Sequence, residues 1–504
     1  MAVNYNKLTP VEAYEKRRKI WWRLFWLLVI AGLIYWFVVR STYVIAYESD
    51  EEHFKYGSIG SEPVTGLPVT VLSAIPYIYK ERLGGAGYGA FGLHTEEGQP
   101  LPIGFSRRIV TGVERAWLNC SVCHVTTYRM PGESEPNYIL GGPSNDLKLY
   151  DLIVFFADIG IDPGFTADAV IAAVNTDEVP GHLNFLERPF YRYIVHPRVQ
   201  AGLRALSDEL AFVRRQEPYG PGRVDTFNTY KVLQFNFPMG PESISDTALN
   251  GSSDYPSIWM QKPREGMNLH WDGNNSSVDE RNLSAALGAG VSPTSVDTAS
   301  LARIRAWIDQ LPAPEFPGEI DKELADRGKP LYARYCAACH GMGGENGYDY
   351  STIRYPQLGQ VVDLAEVGTD PGRWASYTQG FAAVQNTLYA GYPWQFKNFR
   401  KTGGYANQPL DGIWARSPYL HNGSVPTLRD LLEPAAERPS VWMRGSDILD
   451  PVRVGYRSDA NAGGTFRYDT IILGNANTGH EGAAYGTNLP AAAKDAIVEY
   501  MKTL

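Results

Sequence analysis

The chain has 504 residues, 44% of them apolar and 20% charged. That is more than one hydrophobic core accommodates, so two domains are expected. Net charge is −9, but residues 1–40 hold seven basic and two acidic side chains, a net +5 that leaves −14 for the rest. An acidic body of this kind argues against nucleic acid as a partner.

The first element in chain order is the run IWWRLFWLLVIAGLIYWFVV, Ile20 to Val39, with Arg23 as its one charge. At about 1.5 Å per residue it reaches roughly 30 Å, the thickness of a bilayer core. The preceding EKRRK keeps the N-terminus cytoplasmic, and the following RSTYVIAYESD lacks a small-residue cleavage site. The sequence therefore predicts a cytoplasmic tail over 1–19 and a transmembrane anchor over 20–39. This is a single pass through a bacterial inner membrane, with everything beyond it periplasmic. Residues 41 to about 110 are rich in Gly and Pro. GYGAFG at 87–92 imitates a dinucleotide fingerprint, but no strand precedes it and HTEEGQPLP does not open a helix.

Leu301, Ile304, Ile308 and Leu311 have helical spacing, and Pro312, Pro314 and Pro317 stop that helix. A second helix is predicted over DKELADRGKPLYARYC, with Leu324, Gly328, Leu331 and Tyr335 on one face. A last one is predicted over AAAKDAIVEYMKTL, with Ile497, Tyr500, Met501 and Leu504 on one face. The domain layout that follows is 40–311, a Pro-rich linker over 312–320, and 321–504.

All four cysteines fall in two C-x-x-C-H motifs, WLNCSVCHV and ARYCAACHG. This pattern is read as c-type haem attachment. Two thiols at that spacing reach the two vinyl groups of one porphyrin, and the adjacent His supplies an axial nitrogen. Zinc would want four ligands gathered in paired knuckles, whereas these pairs lie 216 residues apart, each with its own His. A thioredoxin-like dithiol would want a βαβ setting. Two covalently attached haems are therefore expected, on Cys120, Cys123 and His124 and on Cys336, Cys339 and His340. A helix before the motif and another closing the domain suit small cytochrome domains. The predicted fold is mainly α with long irregular loops: two cytochrome-c-like haem domains behind one N-terminal transmembrane helix.

Each iron then needs a sixth ligand or an open face. His53 and His94 precede the first motif, and His182 and His196 read as surface or structural. His270, His421 and His480 remain, with Met443 as a thioether alternative.

PIGFSRRIVTGVERAWLNCSVCH, YGPGRVDTFN, HWDGNNSSVDERNLSAALGAG, YCAACHG, GIWARSPYLHNGSVPTL and GNANTGHEGAAYG together resemble the di-haem rubber-oxygenase-like cytochromes. These share a superfamily with the bacterial di-haem cytochrome c peroxidases and the methylamine dehydrogenase maturation enzyme. The resemblance runs from about residue 100 to the C-terminus. It implies that the haem at His124 meets O2 or peroxide and that the haem at His340 handles electrons. It also points to His480 as the second ligand of the His340 haem, with His421 and Met443 as alternatives. The peroxidases place a second His soon after the first motif; here VTTYRMPGESEPNYILGGP has none, so an open first haem is expected. Phe235, Phe237 and Trp271 would line its pocket, with Arg223, Asp225 and His270 as polar members; Trp271 could instead relay electrons. Some peroxidase relatives carry a structural Ca2+ between domains, which the resemblance leaves open here. The expected partners are a small oxidant, an electron-carrier protein or membrane redox complex, and the membrane itself through Ile20–Val39. The competing readings are an electron-transfer subunit with both irons closed, and a gas sensor.

Overall fold

The computed structural model describes residues 9–41, 45–345 and 347–504, without the side chains of 36–41. The expected tail over 1–19 thus lies partly outside the described residues. The first helix, α1 (Pro10–Ser41), is 32 residues long and contains the run expected to span a membrane. Among the described residues no helix is long and apolar enough to do so, and this corrects the anchor. The physical reason is composition. α1 opens on PVEAYEKRRK, carries Arg23 inside its apolar half, and fills much of that half with Trp and Tyr, which are amphipathic. The end of the run, 36–39, lies outside the described side chains. The single pass, the inner-membrane location, the cytoplasmic N-terminus and the periplasmic haem domains rested on that anchor and fall with it.

The mainly α fold is corrected as well: 41% of the chain is helical and 12% is strand. Stretches that read as irregular loops fold into small antiparallel sheets, one three-stranded and six two-stranded among the described residues. FSRRIVTGVERAWL shows why. β1 (Phe105–Val110) pairs with β2 (Val113–Leu118) from Phe105↔Leu118 to Val110↔Val113. The two-residue turn puts Thr111 and Gly112 both at positive φ, 49° and 79°, the twist that tight hairpins require.

The first half packs α2 (Asp50–Tyr56), α3 (Val69–Ile78), α4 (Leu149–Ile161) and α5 (His196–Glu209) around this hairpin. Gly160 lets α4 approach α5, since a Cβ there would sit 2.6 Å from the Leu203 carbonyl carbon. α6 (Thr226–Phe235), α7 (Val278–Gly288) and α8 (Thr298–Ile308) start at Asp225, Ser277 and Asp297, whose side chains accept from the backbone N–H groups of Asn228, Glu280 and Ser300.

In the second half, α9 (Lys322–Tyr335) crosses α10 (Ala491–Met501). The buried face of α9 is Ala325, Gly328 and Tyr332, one position round from the expected stripe. Pro312, Pro314 and Pro317 lie in the irregular segment between α8 and α9. The second core takes Ile139, Trp259 and Leu269 from the first half beside Tyr332, Trp414 and Ile497. Two buried ion pairs also join the halves: Arg264 with Asp411 (2.6 and 2.8 Å) and Arg444 with Asp254 (2.8 Å).

Candidate functional site

β2 delivers the chain directly to the first motif. Asn119 caps the turn Cys120–Val122, its Oδ1 accepting from Ser121 N at 3.0 Å. Its Nδ2 donates to the carbonyls of Phe54, Lys55 and Gly57, which fastens the motif to the end of α2. Gly104 (φ 95°) passes so close that a Cβ would meet Val122 Cα at 2.6 Å. The second motif follows α9 without a break: Cys336 N donates to Tyr332 O (2.8 Å), and 337–340 form one further helical turn.

None of the four cysteines is in a disulfide. Burial pushes the thiols up, to about 11 at Cys120 and about 12 at Cys123 and Cys336. Redox dithiols and thiolate metal ligands need the opposite shift, whereas an uncharged thioether suits such burial. His340 Nδ1 donates to the Gln408 carbonyl at 2.7 Å, which leaves Nε2 as the lone-pair nitrogen, the arrangement of a ligating imidazole. The His480 ring lies 6.3 Å from that of His340, centre to centre. Two imidazoles on one metal axis, each bound at about 2.0 Å, require about this separation. Burial drives His480 down to about 3, with His340 adding to the effect, so it is neutral as a ligand must be. Its Nδ1 is buried without a hydrogen-bond partner. His421 instead stacks on Tyr405 at 4.2 Å, and Met443 lies in the β3 (Val441–Arg444) ribbon opposite Arg467 of β4 (Phe466–Asp469).

At the first motif, Cys120, Cys123 and His124 face a cavity of about 840 Å3 with mostly apolar walls from α4, α5, α6 and α7. Its size falls in the range of cofactor pockets. Burial takes His124 down to about 3. Its Nδ1 has no hydrogen-bond partner; the Pro256 carbonyl approaches but falls outside hydrogen-bond geometry. Two buried thiols, an adjacent neutral His and a mostly apolar cavity fit a covalently held haem.

Of the expected pocket residues, His270, Trp271 and Asp225 line this cavity. His270 Nδ1 meets Asn274 Oδ1 at 2.6 Å, and burial lowers its pKa to about 3. Trp271 Nε1 donates to Asp254 O at 2.7 Å. Phe235 and Phe237 lie elsewhere, packed on Phe381, and α6 presents Phe227, Tyr230 and Leu233 to the cavity instead. Arg223 is a core residue, donating to Asn475, Tyr219, Ser252 and Gly474. Sequence reading missed Arg281, Tyr230 and Arg373 on the cavity wall and Gln408 behind His340. Arg281 in VDERNLSAAL reads as part of a solvated helix face, and Gln408 carries no sequence signal.

With this geometry in place, known proteins give the class. Residues 404–443 match the family model described as RoxA-like, cytochrome c-like. Residues 323–389 match that of cytochrome C oxidase, cbb3-type, subunit III. The uncharacterized protein y4iM of Sinorhizobium fredii is 31% identical over 287 residues, 50% of this chain and 64% of that protein. The uncharacterized protein y4iJ of the same organism is 26% identical over 522 residues, 82% and 84% of the two chains. A thiosulfate dehydrogenase of Psychrobacter arcticus is 30% identical over 147 residues, 26% of this chain and 45% of that one. The chain thus spans less than two thirds of y4iM. These matches support a c-type cytochrome: cytochrome c-like domains are present, and with them covalently bound haem.

Proposed function

We propose that the chain is a di-haem c-type oxidoreductase, reactive towards O2 or peroxide at Cys120, Cys123 and His124 and passing electrons through Cys336, Cys339 and His340. The carrying observation is an asymmetry. His340 has a second imidazole, His480, 6.3 Å away, whereas His124 faces a cavity of about 840 Å3. Haem supplies electron transfer and, on an open face, oxidant chemistry; the chain supplies the rest. Gln408 O fixes the His340 tautomer, and α4 to α7 give the His124 side a mostly apolar wall. Trp271, held by Asp254 O, lies between this cavity and the short strand Gly404–Ala406, since Ala406 N donates to Trp271 O at 2.8 Å. An electron-carrier protein is the proposed redox partner. The likeness to a thiosulfate dehydrogenase supports the oxidoreductase class and does not set a substrate. Among the described residues no group of three or more His, Cys, Asp or Glu converges on a metal position.

Carbon monoxide titration of the fully reduced protein tests the reading. One CO per two haems is expected. Uptake of none would favour an electron-transfer subunit instead, with His270, neutral and in the cavity wall, closing the first iron.

A further inference from the structure

GYGAFG folds into a short turn, Gly87–Phe91, at the edge of a second cavity of about 430 Å3. His94 lines the same cavity and is half-buried, so its ring meets solvent there. On its other side, Nε2 donates to Asp146 Oδ2 at 2.5 Å. Burial by itself lowers the affinity of His94 for its proton. The Asp146 carboxylate more than offsets this, with Asp447 adding to it, and the pKa lies above the ordinary 6.5. Seven other histidines are pushed down by burial. His94 is therefore placed to hold a charge near neutral pH. The other groups around it are engaged. Asp447 pairs with Arg129 at 2.6 Å. Glu96, two residues on, is held by Lys55 Nζ at 2.8 Å and by the Tyr56 hydroxyl at 2.6 Å. Tyr138 presents its ring at 5.4 Å.

Asp146 belongs to a strap, GGPSNDL over 141–147, that holds the first motif. Gly141 N donates to His124 O and Ser144 N to Cys123 O, both at 2.9 Å. Thr126 Oγ1 donates to Pro143 O at 2.6 Å. Asn145 Oδ1 accepts from Thr127 N at 3.0 Å, and its Nδ2 donates to Thr127 O at 2.9 Å. Asp146 accepts from the hydroxyls of Thr127 and Ser144, each at 3.2 Å. One carboxylate thus ties His94 both to the strap and to the strand leaving the motif. We propose that the His94–Asp146 pair is a pH-sensitive latch on this strap. Protonated His94 clamps Asp146 and so steadies the backbone of Cys123 and His124. When the proton leaves through the second cavity, Asp146 keeps its charge and the pair keeps at most a hydrogen bond. The strap then loosens and the reactivity of the His124 site shifts. The effect on reactivity rests on the open-site reading given above; the latch itself does not.

The test uses the complete haem-loaded protein. Hydrogen exchange of wild type and H94Q is followed at pH 6 and pH 9 and corrected for the intrinsic pH dependence of amide exchange. Peptides covering 141–147 are expected to exchange about three- to tenfold faster at pH 9 than at pH 6 in the wild type, and equally at both in H94Q. Protection of the strap that is unchanged with pH, or changes equally in H94Q, overturns the latch. CO affinity of the reduced wild type is expected to shift about three- to tenfold over the same range, and to stay within about twofold in H94Q. Equal shifts in both overturn the regulatory role. Absence of CO uptake at either pH is a failure of the open-site reading instead, and the exchange experiment still decides the latch. The stability contributed by the pair is complete below pH 6.5, the ordinary value, and is lost as pH rises through the higher folded value. The Tm of the wild type should therefore fall further towards pH 9 than that of H94Q. Should H94Q fail to fold, histidine-labelled wild type serves. The His94 ring is expected to titrate by NMR with a midpoint above 6.5 that coincides with the midpoint for strap exchange; separate midpoints overturn the proposal.

Discussion

Arg223 and His480 show how differently single residues can be read. RVDTFN suggests a polar residue near a pocket, yet the Arg223 guanidinium is fully buried among four oxygen acceptors. R223Q should therefore cost about 3 kcal/mol in denaturant unfolding and leave CO affinity unchanged. His480, in contrast, was singled out by its motif and stands beside His340. H480A should raise CO uptake from one to two per two haems; an unchanged stoichiometry would remove His480 from the proposed ligand set. Burial holds His270 at about 3, well below its ordinary value near 6.5. The unfolded chain takes up that proton first, so the stability contributed by neutral His270 is complete above pH 6.5. It is lost as pH falls from 6.5 towards 3, at up to about 1.4 kcal/mol per pH unit. Melts between pH 7 and 4 should fall less steeply for H270N than for the wild type. The motif cysteines and their histidines stand out in the sequence because covalent haem attachment, as proposed for them, demands one fixed spacing. The cavity wall was not, because a side chain facing an interior on a mixed-polarity helix looks in sequence like one facing water.

At the scale of elements, periodicity found the helices and missed their contacts. α8, α9 and α10 lie where the apolar spacing and the prolines put them. The close crossing of α9 and α10 depends on Gly328, where a Cβ would lie 1.8 Å from the Ala496 carbonyl oxygen. Glycine there was legible only as a member of a face. G328A gains helix propensity but must push the helices apart, so a net loss of about 2 kcal/mol or more is expected, with a lowered Tm as the measurement. A neutral or stabilising outcome would show that the pair can slide. The small sheets escaped sequence reading for another reason: two-stranded ribbons of two to four residues hold too few alternations to register as strands.

On the scale of the whole molecule, the Pro-rich segment suggested two separable bodies. Across it, however, run the Arg264–Asp411 and Arg444–Asp254 pairs, the Arg129–Asp447 pair at 2.6 Å, and a core shared by Trp259 and Trp414. Breaking the two buried pairs, Arg264–Asp411 and Arg444–Asp254, leaves charges stranded, so neither half gives up the other cheaply. A single cooperative calorimetric transition is expected for the full chain. Two well-resolved transitions would show that the halves melt independently.

The two motifs are also joined through one residue. The Gln408 backbone carbonyl receives the His340 Nδ1 proton at 2.7 Å, while its side-chain amide donates to the carbonyl of His270, in the wall of the other cavity, at 3.2 Å. On the di-haem reading proposed above, the strength of a proton bond on an axial imidazole would tune the metal it serves, so a movement of His270 would reach the second iron's reduction potential. Thermodynamic reciprocity then runs the traffic both ways. For a one-electron couple, each shift of about 59 mV caused by a guest in the first cavity is repaid as a tenfold change in that guest's affinity when the second iron is reduced.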